Sequence, residues 1–373
     1  MPRAAYVHVP FCAHRCGYCN FALVAGRADL VPAYLDAVER ELREQLHKPS
    51  EVDTLYFGGG TPTQLGAEGL SRLAELCTHW HPLAAGYEWT VEANPADMLD
   101  AVARAMATAG VNRLSLGSQS FCAAKLELLE RDHRADDIRR SVILARQHNM
   151  AVSLDLIFAA PGETLDEWLD DLQQAIDLAP EHISVYGLTF EKGTTYWGRR
   201  ERGEMQAAED ELERDMYLAA IDQLAAAGFE HYEVSNFARP GHRSRHNEAY
   251  WRGDEYYAVG PGAARYVAGV RETNHRSTTT YLKRVLAGES AVAEREQLDE
   301  ESRARERLVF ALRRLEGLRR DEFQQATSYS IDELAGAAIE RFVELDLLAD
   351  DGQQIRLTRE GLLVSDAMWP EML

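Results

Sequence analysis

Cys12, Cys16 and Cys19 stand in the stretch FCAHRCGYCNF, spaced C-x3-C-x2-C, and they are three of only five cysteines in the chain. Three thiols are one ligand short of a closed tetrahedral site. They fit a [4Fe–4S] cluster with one iron left open, because each thiolate binds one iron of the cube. They also fit a zinc ion completed by His8 or His14, and catalytic zinc keeps an open position too, so the spacing leaves both chemistries standing beside a chance grouping. The remaining cysteines, Cys77 and Cys122, are isolated and are expected as small buried hydrophobes.

A second group of residues could bind a polar ligand beside that metal. Gly58–Gly59–Gly60–Thr61 ends one apolar run, Glu92 and Asn94 end another, Gln119 ends a third, and Asp155 lies inside a fourth. Glycines let backbone approach a ligand closely, carboxylates suit hydroxyl or amino groups, and a carboxamide offers a donor and an acceptor together. Arg131 could neutralise a ligand carboxylate, although RDHRADDIRR reads equally as a solvated charged face. Tyr6, six residues before Cys12, could pack on a ligand ring or in the core.

Such residues converge only if the elements carrying them are parallel. Up to about residue 190, short apolar runs (AAYVHV, DTLYFGGG, YEWTVEA, VNRLSLGSQ, AVSLDLIF, HISVYG) alternate with helical patterns such as Val31, Leu35, Val38 and Leu42. Six strand–helix repeats predict parallel β/α architecture, with ligands at the carboxyl ends of the strands. The stretch GFEHYEVSNFARPGHRSRHNEAYWRGDEYYAVGPGAARYV reads as strands and loops. From about residue 299 a mostly helical segment follows, with a β-wing around DDGQQ. The expected organisation is a domain over residues 1–235, a connecting segment over 236–298 and a C-terminal domain over 299–373.

The 373 residues carry 40 Lys and Arg against 61 Asp and Glu, a net charge of −21, which argues against nucleic acid as a partner. From Glu301 onward there are ten Lys or Arg and fifteen Asp or Glu, so a helical wing there is a poor DNA reader. Neither a membrane-spanning run nor a signal-peptide core is present, and the expected compartment is the cytoplasm, where clustered thiols serve metals or catalysis.

With YVHVPFCAHRCGYCNF before it and GGGTP after the second strand, the chain resembles the radical S-adenosylmethionine (SAM) family. The resemblance implies a partial (β/α)6, TIM-like barrel with a [4Fe–4S] cluster on Cys12, Cys16 and Cys19. It also implies SAM chelating the open iron, where reduction of the cluster by an external electron donor can cleave it to methionine and a 5′-deoxyadenosyl radical. Tyr6, Gly59, Gly60, Thr61, Glu92, Gln119, Arg131 and Asp155 then become candidate SAM contacts.

A longer match, through VEANP, GVNRLSLGSQSF, DLIFAAPGET and HISVYGLTFEKGT, resembles the group of oxygen-independent coproporphyrinogen III dehydrogenases and their HemW-type heme-chaperone relatives. It implies a winged-helix-like C-terminal domain and allows a homodimer. The dehydrogenases carry a further cysteine where this chain has Phe21, and an N-terminal extension where only eleven residues precede Cys12. His246, Asn247, Tyr250 and Trp251 match the HNxxYW heme motif of the chaperones, with His242 as a second candidate ligand. Imidazole is a natural axial ligand and aromatic rings can stack on a porphyrin, although such a cluster also suits a local core. The chaperone reading implies heme as cargo and acceptor hemoproteins, among them respiratory enzymes, with transient association at the membrane. Oxidative decarboxylation of coproporphyrinogen III is the alternative.

Overall fold

The structure is a computed structural model and describes residues 1–373. Its twelve-stranded main sheet contains β1 (Ala4–Val9), β2 (Val52–Gly59), β3 (Leu83–Ala93), β4 (Arg113–Gln119), β5 (Ala151–Phe158) and β6 (His182–Gly187). These are the six strands read from the sequence, and each pairs in parallel with the next. Helices between them, such as Val31–Gln45 and Leu165–Asp177, supply the crossovers. Thr164 and Glu167 form a reciprocal capping box that starts the second of these.

The region from 230 to 296 adds six more strands: β7 (Glu230–Glu233), β8 (Asn236–Ala238), β9 (Tyr256–Val259), β10 (Ala264–Val267), β11 (Val270–Asn274) and β12 (Val292–Glu296). The sheet order is β12-β11-β10-β9-β1-β2-β3-β4-β5-β6-β8-β7, an open arrangement rather than a closed barrel. Residues 236–298, expected as a connector, thus contribute five strands to the main sheet. One of them, β9, is a seventh parallel strand against β1. A run as short as YYAV amid glycines and aromatics shows no period of its own. Its pairing comes from the free edge of β1.

HNxxYW, expected among strands and loops, lies on the helix Arg245–Trp251. The Ser244 hydroxyl accepts from Asn247 N–H, and Glu88 accepts from the backbone of Arg245 (3.3 Å) and His246 (3.1 Å). These groups satisfy amides that the first turn leaves free and oppose the positive end of its dipole.

The principal core joins Val7, Leu55, Trp89, Leu114, Leu154 and Ile183 with the helices that cover the sheet. Trp89 is fully buried, and burial of so large a side chain stabilises by roughly 1.5–3 kcal/mol. Helices Glu300–Leu312, Arg320–Thr327, Ile331–Glu344 and Arg359–Met368, with a small sheet of Leu318–Arg319, Leu348–Asp350 and Gln354–Leu357, form a second core around Leu308, Phe323, Ile339 and Ile355. The last two strands form the expected wing. Tyr217 and Ile221 pack against both cores, and Arg359 holds Asp222 through two 2.8 Å contacts, so the C-terminal domain is fastened to the sheet. No helix is long and apolar enough to cross a membrane.

Candidate cofactor site

The carboxyl ends of β1 to β6 open into a cavity of about 660 Å³. Cys12, Cys16 and Cys19 line it, together with Gly59, Gly60, Thr61, Glu92, Gln119, Arg131 and Asp155. The sequence-named candidates come together because the parallel strands end on one side. Tyr6 is the exception. Its hydroxyl bonds His8 Nδ1 (3.1 Å) and its ring packs near Tyr56 and His246, away from the cavity wall.

No three His, Cys, Asp or Glu side chains converge as ligands of a single metal ion. The cysteines nevertheless line one cavity, an arrangement that fits thiolates on separate irons better than a zinc tetrahedron. His8 is turned away from them, with Nε2 on the carbonyl of Ala22 at 2.7 Å. His14 bonds the carbonyl of Glu130 and stands 3.7 Å from the Cys16 sulfur. Burial pushes the Cys12 thiol up to about 11, so a bound cationic centre has to supply the compensation for its thiolate. Cys77 is fully buried as expected. Cys122 is only partly buried, because it stands just before the helix Ala123–Leu128 rather than inside a packed face.

The glycine run is needed for close packing. A Cβ on Gly59 would lie 2.5 Å from the His8 ring, with φ at +111°, and one on Gly60 would lie 2.7 Å from the carbonyl of Phe11. Both turns therefore press against the strand leading to Cys12, and their other side faces the cavity. Gln119 takes a positive φ of 62° where the β4–β5 register shifts, a conformation uncommon outside glycine that re-aims its side chain at the strand end.

Glu92 accepts from the Tyr56 hydroxyl (2.8 Å) and from Gly59 N–H (3.0 Å), while Ser115 donates to Asp155 (3.2 Å). Burial, which outweighs these donors, lifts Asp155 to about 6; burial together with the nearby Asp155 charge lifts Glu92 to about 7. For Glu92 the folded value is raised above the ordinary carboxylate value. Its stabilising contribution is therefore complete below about pH 4.5 and lost as pH rises through about 7, roughly 3 kcal/mol at most. Glu92→Gln should flatten that decline in the ligand-free protein, with a pH-independent offset from the weakened Gly59 bond. Urea unfolding from pH 5 to 8 checks this, and parallel curves for the two proteins would reject it.

Arg131 is where the sequence was least informative, and the solvated-face reading fails. Its guanidinium lies 3.6 Å from the Cys16 sulfur and donates to Asn94 Oδ1 and the carbonyl of Gly117, each at 3.0 Å. Asn94 in turn donates to Asp132 at 2.8 Å. Sequence reading assigned no role to Tyr18, Asn20, Tyr186 or Arg276, which also line the cavity. Phe21 lines it with 64% of its surface exposed, so an apolar, accessible side chain stands two residues after Cys19.

The HNxxYW residues divide between two settings. His246 is 1% exposed, with Nδ1 on Thr54 (2.9 Å), Nε2 on Tyr250 (2.9 Å) and its ring stacked on Tyr56. Burial lowers its pKa to about 3, so it is neutral, with one ring nitrogen donating and the other accepting. Tyr250 and Trp251 line a separate cavity of about 620 Å³ between the main sheet and the C-terminal domain. Neither His242 nor Asn247 lines either cavity.

Comparison with known proteins bears on these arrangements. Residues 6–175 match the Radical SAM superfamily and residues 298–364 the HemN C-terminal domain. The heme chaperone HemW of Lactococcus lactis is 35% identical over 373 residues, covering 100% of this chain and 97% of that protein. The chain belongs to the HemW family of radical SAM proteins. The Bacillus subtilis HemW is 32% identical, across 100% of this chain and 99% of its own length. A mitochondrial radical SAM domain-containing protein 1 from Danio rerio is 34% identical, over 99% of this chain and 86% of that one. Coproporphyrinogen III oxidase (HemN) from Escherichia coli superposes with a TM-score of 0.88 at 21% identity, covering 100% of this chain and 90% of that one, so the HemW-family chain shares its fold. Membership of the radical SAM superfamily implies a [4Fe–4S] cluster and SAM, and the cavity's thiols, carboxylates and glycine turn fit that pair.

Proposed function

We propose that this protein is a heme chaperone: it holds a [4Fe–4S] cluster on Cys12, Cys16 and Cys19, binds SAM beside it, takes up heme near His246 and passes the heme to acceptor hemoproteins. Similarity along the full length to proteins named heme chaperones carries the reading. The apolar Phe21 and the HNxxYW residues support it against the dehydrogenase.

The cluster, when bound, supplies an electron to SAM, and the chain's own residues do the rest. Gly59 and Gly60 admit the backbone to the SAM amino acid, while Thr61, Glu92, Gln119 and Asp155 offer polar partners for its amino and ribose groups. Arg131 puts a positive charge beside Cys16, which favours the thiolate and the SAM carboxylate alike. The electron donor is external, the acceptors include respiratory enzymes approached transiently at the membrane, and the working compartment is the cytoplasm. Dimerisation belongs to the same proposal.

Anaerobic reconstitution followed by parallel assays with heme and coproporphyrinogen III tests the proposal. Tight heme uptake without protoporphyrinogen is expected, and SAM-dependent formation of protoporphyrinogen would overturn it. For His246 to bind iron, Nε2 must exchange the Tyr250 hydroxyl for the metal, at about 0.5–1.5 kcal/mol. Tyr250→Phe should therefore raise heme affinity by up to about tenfold with the histidine-ligated spectrum kept. His246→Ala should lose that spectrum. A folded His246→Ala protein with unchanged affinity and spectrum would remove the ligand assignment.

A further inference from the structure

The second cavity lies outside the cluster site, and its lining has the chemistry of a planar dicarboxylate's binding site. One wall is aromatic. Tyr250 and Tyr256 meet edge to face at 4.6 Å, and Trp251 stands 6.3 Å from Phe310 of the C-terminal domain. The Trp251 indole N–H is buried without a hydrogen-bond partner, although buried indoles usually find one.

The helix Glu300–Leu312, which carries Phe310 and packs against the helix Arg245–Trp251, adds Arg303 and Arg307 to the lining. Most arginines of this acidic chain are paired, and the third one lining this cavity, Arg271, is held by Glu296 and Glu306. Arg303 and Arg307 make no ion pair within 4.0 Å, and Arg303 Nε is buried without a partner. Among the acidic residues of the lining, Asp254 is paired with Arg252 and Glu306 with Arg271, while Glu300 is exposed. Two guanidiniums without ion-pair partners therefore share with aromatic side chains the lining of a cavity of about 620 Å³, within the range of roughly 300–1,000 Å³ typical of cofactor sites. Guanidinium binds carboxylate bidentately, and aromatic rings stack on flat π systems.

We propose that this junction cavity is the heme-loading site, with Arg303 and Arg307 binding the two heme propionates and Tyr250 and Trp251 packing on the macrocycle. The proposal rests on the chaperone reading. It assigns the C-terminal domain the task of gripping the polar edge of the cargo, and it leaves the cluster cavity free for SAM. Tyr250 lines this cavity and its hydroxyl bonds His246 Nε2, so ligation of the iron by that imidazole follows loading, once the Tyr250 hydroxyl has given up the bond.

The test titrates heme and heme dimethyl ester, whose propionates carry no charge, into the wild-type protein and into Arg303→Gln/Arg307→Gln. Wild type should bind the ester at least tenfold more weakly than heme, and the double variant should bind both equally weakly. Equal wild-type affinity for heme and ester overturns the site without any variant being needed. So does a folded double variant with wild-type heme affinity, the fold being checked by circular dichroism and cluster content. If wild type takes up no heme at all, the chaperone reading itself fails.

Discussion

Cys16→Ser is expected to yield a folded protein that cannot hold a [4Fe–4S] cluster. Iron and sulfide after anaerobic reconstitution should fall from the wild-type stoichiometry to background. Cys16 is 7% exposed, and its sulfur is surrounded by Arg131, His14 and the carbonyl of Glu130 at 3.6–3.7 Å. Serine fits that space, so ligand-free stability should change by about 1 kcal/mol or less. A hydroxyl is a far poorer iron ligand than a thiolate, and only two cysteines would remain on a cube that needs three protein ligands. Full iron and sulfide in the variant would remove the ligand assignment. Stoichiometric zinc in anaerobically purified wild type, with no reconstitution by iron and sulfide, would remove the radical SAM chemistry altogether.

Gly59→Ala is expected to weaken SAM binding at least tenfold while cluster content stays near wild type. An L-residue at a φ of +111° costs about 1–2 kcal/mol, and the new Cβ would stand 2.5 Å from His8, which is itself fixed by Ala22 and Tyr6. The loop must shift, and the Gly59 N–H that holds Glu92 shifts with it. Gly66→Ala is the control, because Gly66 also has a positive φ but nothing lies within 4 Å of its Cβ position. It should cost comparable backbone strain and leave SAM affinity unchanged. Equilibrium dialysis of SAM against both reconstituted variants decides. Equal SAM affinity in the two would make the Gly59 requirement one of packing alone.

The sequence by itself determined the cysteine triplet proposed to hold the cluster, the six parallel strands with polar residues at their ends, and the wing of the C-terminal domain. Each of these is written in local order. Three thiols lie within eight positions, an apolar run ends in a polar turn, and DDGQQ separates two apolar runs. Parallel pairing then brings the strand ends together by geometry alone, which is why Glu92, Gln119 and Asp155 meet although they are far apart in the chain.

Only the tertiary structure decided the rest. Arg131 is one charge in a charged stretch until it is seen against Cys16, 115 residues away. His246 reads as an available ligand until Thr54, 192 residues earlier, and Tyr250 are found on its two ring nitrogens. The strand β9 and the junction cavity likewise require an edge or a wall supplied by a distant element. Local pattern sets secondary structure and motif. Which buried group faces which partner follows from the packing of distant elements, where an imidazole or guanidinium takes whatever donor or acceptor the fold sets beside it.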